Sequence, residues 1–429
     1  MVWPVLAIGV FGTIAGGAAI GAALGLVGLV ILHFYVGGAT ELAVIAVYNT
    51  LNNFTLSALP MFIIMGEVLV ASGLSERIYS ALAPLFRRVP GGLLHTNIAV
   101  CTAFGAVSGS SIATAAAVSA VSYPELSRRG YDKPAVLGSI AGGSTLGLLI
   151  PPSLSLLLYG AWQEVSIGQL FLAGILPGLM LSVFFMIYIA GVNILRPGAA
   201  PRNREAVGWA RALAQLSRIW PLALLAASVL GSIYLGFATP TEAAGLGVLL
   251  SVLFGMTIGE LTLRKLAQAL YQATRSIGVI AFVLIGAVIL GQSVSILGLP
   301  RQVIEFAAGF GLGRYEMIVF VAVFYLVLGC FFDGITLMLL SLPFLFPIVV
   351  SLGFDPVWFG VFVTIMIEIG LITPPIGMNL YVLAALTGKE IPVERIALAA
   401  VPYWIILLFG AFLLVCFPQI ALFLPRLVY

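Results

Sequence analysis

Gly147-Leu148-Leu149-Ile150-Pro151-Pro152 and Gly370-Leu371-Ile372-Thr373-Pro374-Pro375 stand 223 positions apart in an almost wholly apolar chain. A proline pair removes two consecutive amide donors and crowds the preceding turn, so each stretch breaks a helix. The same offset carries Ser108-Gly109-Ser110-Ser111 onto Phe331-Phe332-Asp333-Gly334, and Pro124 onto Pro347. Pro-interrupted hydrophobic segments at corresponding positions of two halves, each preceded by a polar turn with glycine, point to the binding site of a membrane carrier.

Composition agrees with a membrane setting. Of 429 residues, 62% are hydrophobic and 8% are charged. A soluble domain carries about 25% charged residues, so this chain cannot clothe itself for water. The reading is an all-α polytopic membrane protein. No basic run suggests nucleic acid. Cys101, Cys330 and Cys416 lie in apolar runs without metal-ligand spacing. No Ser/His/Asp arrangement or nucleotide loop argues for an enzyme or an ATP-driven pump. The uncharged start of the chain reads as a first span, not a cleaved signal.

A span needs roughly 20 apolar residues. Spans or half-spans are expected near 3–18, 19–36, 57–73, 134–162, 169–195, 219–236, 240–258, 276–296, 355–388 and 402–424. The stretches 91–124 and 315–350 are broken midway and short per arm, so re-entrant hairpins are expected there. Glu41–Thr55, Ser75–Phe86 and Glu260–Tyr271 read as surface helices. The polar linker Arg196–Arg218 divides the chain into repeats 1–205 and 206–429, and its arginines place it in the cytoplasm. Threading outward, only Arg301, Arg314 and Arg426 of the 19 Lys and Arg fall on the opposite side. The halves are then inverted, with both termini periplasmic.

Charged groups at membrane depth are costly and become functional candidates. Here they are Glu67, Glu242, Asp333 and Glu368, with Glu164 near a boundary. Asp333, beside Gly334 and Thr336, offers hard oxygens suited to a small cation; capping the helix from Ile335 is the alternative. Ser108-Gly109-Ser110-Ser111 offers hydroxyls, carbonyls and a helix N-terminus, with Thr114 one turn on. The proline pairs free carbonyls at Gly147, Leu148, Gly370 and Leu371. Ser144, Thr145, Ser153 and Ser155 surround the first break, and Glu368, Thr373, Gly377 and Asn379 the second. Asn379 could face substrate or join two helices. Thr239-Pro240-Thr241-Glu242 reads as a helix start, whereas the role of Glu67 stays open. His33 and His95 stand alone.

Five stretches carry a family resemblance: Pro60–Glu67, Phe104–Ala115, Gly142–Gly147 leading to Ile150-Pro151-Pro152-Ser153, Thr239–Ala244, and Glu368–Gly377. Together they resemble, in order along the whole chain, the large membrane subunit of tripartite ATP-independent periplasmic (TRAP) transporters. One departure is Gly16-Gly17-Ala18-Ala19, where many members have Gly-x-Pro. The resemblance implies an ion-transporter-superfamily elevator fold with two inverted repeats, two re-entrant hairpins and two broken helices. It implies sodium-coupled uptake, across the bacterial inner membrane, of a small organic anion such as a C4-dicarboxylate, sialic acid or another carboxylate.

The implied sodium sites are Ser108, Gly109, Ser110 and Ser111 with Thr145, Gly147 and Pro151, and Asp333 and Gly334 with Gly370, Thr373 and Pro374. Substrate contacts are expected at Ser110, Ser153, Thr336, Gly377 and Asn379. Sodium is the coupling ion and no further cofactor is expected. The implied partners are a small four-helix membrane subunit, expected as a separate polypeptide, a periplasmic substrate-binding protein and membrane lipids. The runner-up is a stand-alone sodium/dicarboxylate symporter or cation/proton antiporter of the same fold. The Ser-Asn-Thr signature of divalent-anion symporters is absent from both hairpin tips.

Overall fold

A computed structural model describes residues 2–195, 201, 214–309, 313–388 and 390–429. Most of the expected linker Arg196–Arg218, including the 205/206 boundary, lies outside the described residues, as does Lys389. Among the described residues the chain is helical throughout, and seven helices have the length and apolarity to cross a membrane.

Both hairpins and both broken helices are present. Leu93–Ser108 turns at Gly109 into Ser111–Arg128, and Arg314–Gly329 turns at Asp333 into Gly334–Ser351. The first arm of each hairpin, 16 residues long, extends only about 24 Å, short of the roughly 30 Å hydrocarbon core. The second arms have 18 residues, and Gly334–Ser351 is among the seven long apolar helices. The broken helices are Lys133–Thr145 with Leu154–Gln163, and Pro356–Leu371 with Met378–Leu386. Each break holds a cis peptide, Pro151-Pro152 and Pro374-Pro375.

The repeat extends to single hydrogen bonds. Gly130 and Gly353 both take positive φ, at +78° and +77°. The amide after each reaches back across the preceding helix end, Tyr131 to the Leu126 carbonyl and Phe354 to that of Val349. Two residues past each glycine, Asp132 and Asp355 cap the next helix by accepting from Ala135 N–H and from Val357 and Trp358 N–H. Pro134 and Pro356 then occupy the first turn, where a missing N–H costs nothing. At the 223-residue offset Gly130 and Asp132 match Gly353 and Asp355 and Tyr131 faces Phe354, while the two prolines stand one position out of register.

The remaining spans cross-pair. Ile20–Tyr35 runs along Leu263–Ile296 with bare backbones in contact: a Cβ on Gly286 would stand 2.1 Å from the Gly21 carbonyl oxygen. Pro240–Thr257 packs likewise on Ala58–Ala71, where a Cβ on Gly247 would meet the Met65 sulfur at 2.5 Å. Small residues let membrane helices approach this closely.

Three boundaries differ from expectation. Glu260–Tyr271 is not a separate surface helix, because Thr262 caps one 34-residue helix, Leu263–Ile296, that runs on into the span. The last span is Val393–Cys416, not 402–424, and a separate helix Gln419–Val428 follows. The first surface helix ends at Leu51, and Phe54–Ser57 is a short 3-10 turn leading into the span.

The hairpins meet the breaks through paired glycines. A Cβ on Gly105 would lie 2.6 Å from Gly147 Cα, and one on Gly370 would lie 2.7 Å from Gly329 Cα. Gly105→Ala should therefore destabilise the protein by about 1–3 kcal/mol through overpacking. Gly245→Ala, which meets nothing within 4 Å, should not. Thermal unfolding in detergent, followed by monodisperse elution, distinguishes the two; equal melting of both variants would contradict the contact.

Candidate functional site

Each hairpin tip is hydrogen-bonded to its own break. The Leu154 amide donates to the Gly109 carbonyl at 3.4 Å, and the Ile376 amide to the Cys330 carbonyl at 3.1 Å. Gly109 has φ +62°, and a Cβ there would stand 2.9 Å from the Pro152 carbonyl oxygen. Only glycine satisfies both demands at this turn.

In the first half the structure gathers a set of neutral oxygens. The Ser108 hydroxyl lies 2.8 Å from that of Thr114. A Cβ on Gly147 would touch the Thr114 hydroxyl at 3.2 Å and the Ser110 carbonyl oxygen at 3.4 Å. Ser108, Ser110, Thr114 and Gly147 thus meet in one place. Ser110 also caps the second arm, accepting from Ala113 N–H at 3.3 Å. Pro151 and Pro152 deprive the Gly147 and Leu148 carbonyls of their helical donors. The Leu148 carbonyl receives two hydroxyls instead, from Ser153 and, at 2.9 Å, from Ser155.

The second half repeats the geometry with a charge added. Asp333 holds the position of Ser110 and caps its arm, accepting from the Thr336 amide at 3.0 Å and from the Thr336 hydroxyl. Capping is therefore realised here. A carboxylate has about four lone-pair directions, so two remain for another partner. Gly334 presses on the broken helix, where a Cβ would meet the Ile367 side chain at 2.3 Å. Thr373 donates back to the Ile369 carbonyl at 2.6 Å. Residues 149–153 of the first break are all buried, whereas Pro374, Pro375 and Ile376 of the second are exposed.

Asn379 joins the halves. It is fully buried, and its amide nitrogen donates to Ser111 Oγ at 2.6 Å and Ser144 Oγ at 3.2 Å, while Oδ1 has no partner. Of the two roles left open for Asn379, the helix-to-helix bond is the one observed. The offset pairs Asn379 with Leu156, so this link has no counterpart in the other half.

Several expected site residues are otherwise engaged. Ser111 is held by Asn379, the Thr145 hydroxyl by the Gly142 carbonyl of its own helix, and Ser153 by the Leu148 carbonyl and the Leu156 amide. Ser153 is thus a fastening of the break: its one O–H is already donated. Gly377 takes φ +42° at the start of its helix. Glu242 closes a capping box with Thr239, as the sequence suggests. Glu67 lies apart, lining a cleft of about 850 Å³ with Arg264 and Lys265. Sequence reasoning did not find the Asn379–Ser144 contact or the Gly105 and Gly329 approaches. A glycine four positions before each tip, Gly105 before Gly109 and Gly329 before Asp333, was the signal for the latter.

Comparison with known proteins follows the same outline. A family profile described as "Tripartite ATP-independent periplasmic transporter, DctM component" matches residues 7–420. The C4-dicarboxylate TRAP transporter large permease protein DctM of Pseudomonas aeruginosa is 33% identical over 94% of this chain and 93% of its own length. The ectoine TRAP transporter large permease protein TeaC of Halomonas elongata is 33% identical over 87% of each chain. The sialic acid TRAP transporter large permease protein SiaM of Vibrio cholerae is 29% identical over 98% of this chain and 97% of its own. Among solved structures, the Alcanivorax borkumensis YdaH transporter shares the fold with TM-score 0.62 and 14% identity, covering 91% of this chain and 88% of that one.

Ser111→Ala and Asn379→Ala should each lower stability and, combined, fall short of the sum of their effects by about 0.5–3 kcal/mol. Thermal melts of the two single variants and the double variant measure this coupling; strict additivity would mean the bond carries no energy.

Proposed function

The chain belongs to the DctM component family of tripartite ATP-independent periplasmic transporters, and on that premise we propose that it imports a small organic acid together with sodium. As a large permease of this family it is a multi-pass membrane protein that moves substrate across the bilayer, and its relatives are named as permeases, not as enzymes. Those relatives span dicarboxylate, ectoine and sialic acid carriers at similar identity, so the proposal concerns a substrate class and not one compound.

The observation that carries the reading is the docking of each hairpin tip on its broken helix, which concentrates oxygen ligands at two matched places. We assign one sodium to the oxygens of Ser108, Ser110 and Gly147, and another to Asp333 with the Gly370 and Thr373 region. Hard oxygen ligands suit such a cation. The helices beginning at Ser111, Leu154, Gly334 and Met378 start at these tips and breaks. Their N-termini carry partial positive charge and favour a carboxylate. Substrate contacts are assigned to Ser110, Thr336 and Gly377, which flank those N-termini. Sodium ordering the tips raises substrate affinity, and by linkage substrate raises sodium affinity equally.

The two halves are read as inverted repeats whose hairpins and broken helices move together against the cross-paired spans in an elevator-type cycle. Partners are a small four-helix membrane subunit and a periplasmic binding protein. The setting is the bacterial inner membrane, with both termini periplasmic.

Sodium-driven uptake into proteoliposomes, with the binding protein and small subunit supplied, should fall about tenfold or more in Ser110→Ala and Asp333→Ala while both variants insert normally. Tenfold corresponds to about 1.4 kcal/mol of lost binding. Unchanged uptake and sodium dependence in both variants would remove the site assignment. Equal uptake without the binding protein would remove the tripartite reading.

A further inference from the structure

Two clefts outside the proposed sites differ in charge. The one of about 850 Å³ sets Glu67 among Arg264 and Lys265, and Lys265 also pairs with Glu260 at 3.5 Å. The other, of about 610 Å³, is lined by Arg77, Ser80, Ser217, Arg218 and Trp220, with no acidic residue. Among the described residues neither Arg77 nor Arg218 forms an ion pair with a carboxylate, whereas Arg128, Arg129, Lys133, Lys265 and Arg301 all do. The Ser80 hydroxyl donates to the Arg77 carbonyl at 2.9 Å, and that of Ser217 to the Ala214 carbonyl at 2.7 Å. The strong donors left to the cleft are the two guanidinium forks, which stay charged at any physiological pH.

Local structure sets the height of this cleft in the bilayer. Leu74–Phe86 buries Leu74, Ser75, Ile78, Tyr79 and Ala81 and exposes Glu76, Arg77 and Ser80, the pattern of a helix lying at a membrane surface. Ser217–Ile219 is a 3-10 turn that leads directly into Trp220–Tyr234. Trp220 stands edge to face with Phe254, ring centroids 5.5 Å apart, and is 50% exposed. A tryptophan so placed belongs at the boundary between headgroups and hydrocarbon. Beyond it Ala223, Leu224 and Ala227 are exposed, three, four and seven residues on and therefore along one helix face. The cleft thus stands at the head of an apolar stripe that faces lipid tails.

Charge and setting together select the occupant. A guanidinium fork meets the oxygens of a phosphate in pairs. The start of Trp220–Tyr234 adds the partial positive charge of a helix N-terminus. A free phosphate would use these groups alone, whereas a phospholipid also lays an acyl chain over Trp220, Leu224 and their exposed neighbours. The two arginines belong to different parts of the protein. Leu74–Phe86 packs on both arms of the first hairpin, and Trp220–Tyr234 packs on the cross-paired span Pro240–Thr257.

We infer that this cleft binds the phosphodiester headgroup of an anionic phospholipid, with Arg77 and Arg218 as its anchoring groups and Trp220 marking the passage from headgroup to tails. The bound lipid bridges the helix that leads into the first hairpin and the span Trp220–Tyr234. Arg218 closes the linker Arg196–Arg218, so the positive-inside rule puts the cleft in the cytoplasmic leaflet. The inference requires only that the chain crosses a membrane, and it stands apart from the sodium and substrate assignments.

The test is a thermal-melt titration of the purified full chain in one detergent, with added dioleoyl phosphatidylglycerol or dioleoyl phosphatidylcholine. Phosphatidylglycerol should raise the melting temperature and saturate at a lower concentration than phosphatidylcholine. Arg77→Gln and Arg218→Gln should each weaken that apparent affinity about fivefold, the usual attraction of one basic residue to an anionic membrane surface. Arg275→Gln, at an exposed position outside the cleft, should leave it unchanged. Should either Gln variant fail to fold, the corresponding Lys variant replaces it; it keeps the charge but loses the fork, and affinity should still fall. Equal stabilisation by the two lipids overturns the inference, as does wild-type affinity in the Arg77 and Arg218 variants. A loss in Arg275→Gln equal to theirs means diffuse surface charge and overturns it too. Stabilisation by inorganic phosphate or glycerol phosphate at the same concentrations means a free-anion site and overturns the lipid assignment.

Discussion

A backbone carbonyl that loses its helical donor inside a bilayer needs another partner, since no water is at hand to supply one. The arrangement of this protein follows from meeting that demand at two places. The proline pairs create the deprived carbonyls; Ser153 and Ser155 answer one of them in the first break. Each hairpin tip lends a carbonyl to the amide just past its break, Gly109 to Leu154 and Cys330 to Ile376. Such bonds require backbone to approach backbone, so glycine stands at Gly105, Gly147, Gly329 and Gly370. Tip, break and glycine contact are therefore one device and not three separate features.

Much of this device was legible in the chain because its parts are covalent facts. Proline pairs, a fixed offset and turn glycines do not depend on tertiary context, and they located both hairpins and both breaks. Boundaries drawn from hydropathy fared less well. Between Tyr271 and Ser276 nothing interrupts a helix; only polarity changes, so Leu263–Ile296 runs unbroken where a surface helix and a span were expected. Glu394 and Arg395 kept the first turn of Val393–Cys416 out of the expected span, although both are good helix formers. The destination of a hydroxyl or amide was the least legible. Ser153 reads as a free ligand in sequence, yet its O–H serves the carbonyl that its neighbouring prolines strand.

The two halves match in frame and differ in chemistry. The first tip offers hydroxyls and carbonyls, and its break is sealed; the second offers a carboxylate, and its break is exposed at Pro374, Pro375 and Ile376. Both Ser110 and Asp333 cap the second arm of their hairpin, so the difference in charge is carried without altering the backbone. A repeated scaffold thus carries two tips of unlike charge.

Asn379 ties the two tip-and-break assemblies together. It belongs to the helix that follows the second break, yet its amide holds Ser111 of the first tip and Ser144 of the first broken helix. A shift of Met378–Leu386 that withdraws Asn379 takes from Ser111 its buried partner, while Ser144 keeps its bond to the Ala141 carbonyl; an unmet buried polar group costs about 1–3 kcal/mol. The first tip therefore cannot rearrange at no cost while the second break stays in place, nor the second while the first is fixed. The bond has no counterpart at the 223-residue offset, where Leu156 holds the matching position. A link present on one side only breaks the equivalence of the two halves, and it makes the second break the element on which the order of the first tip depends.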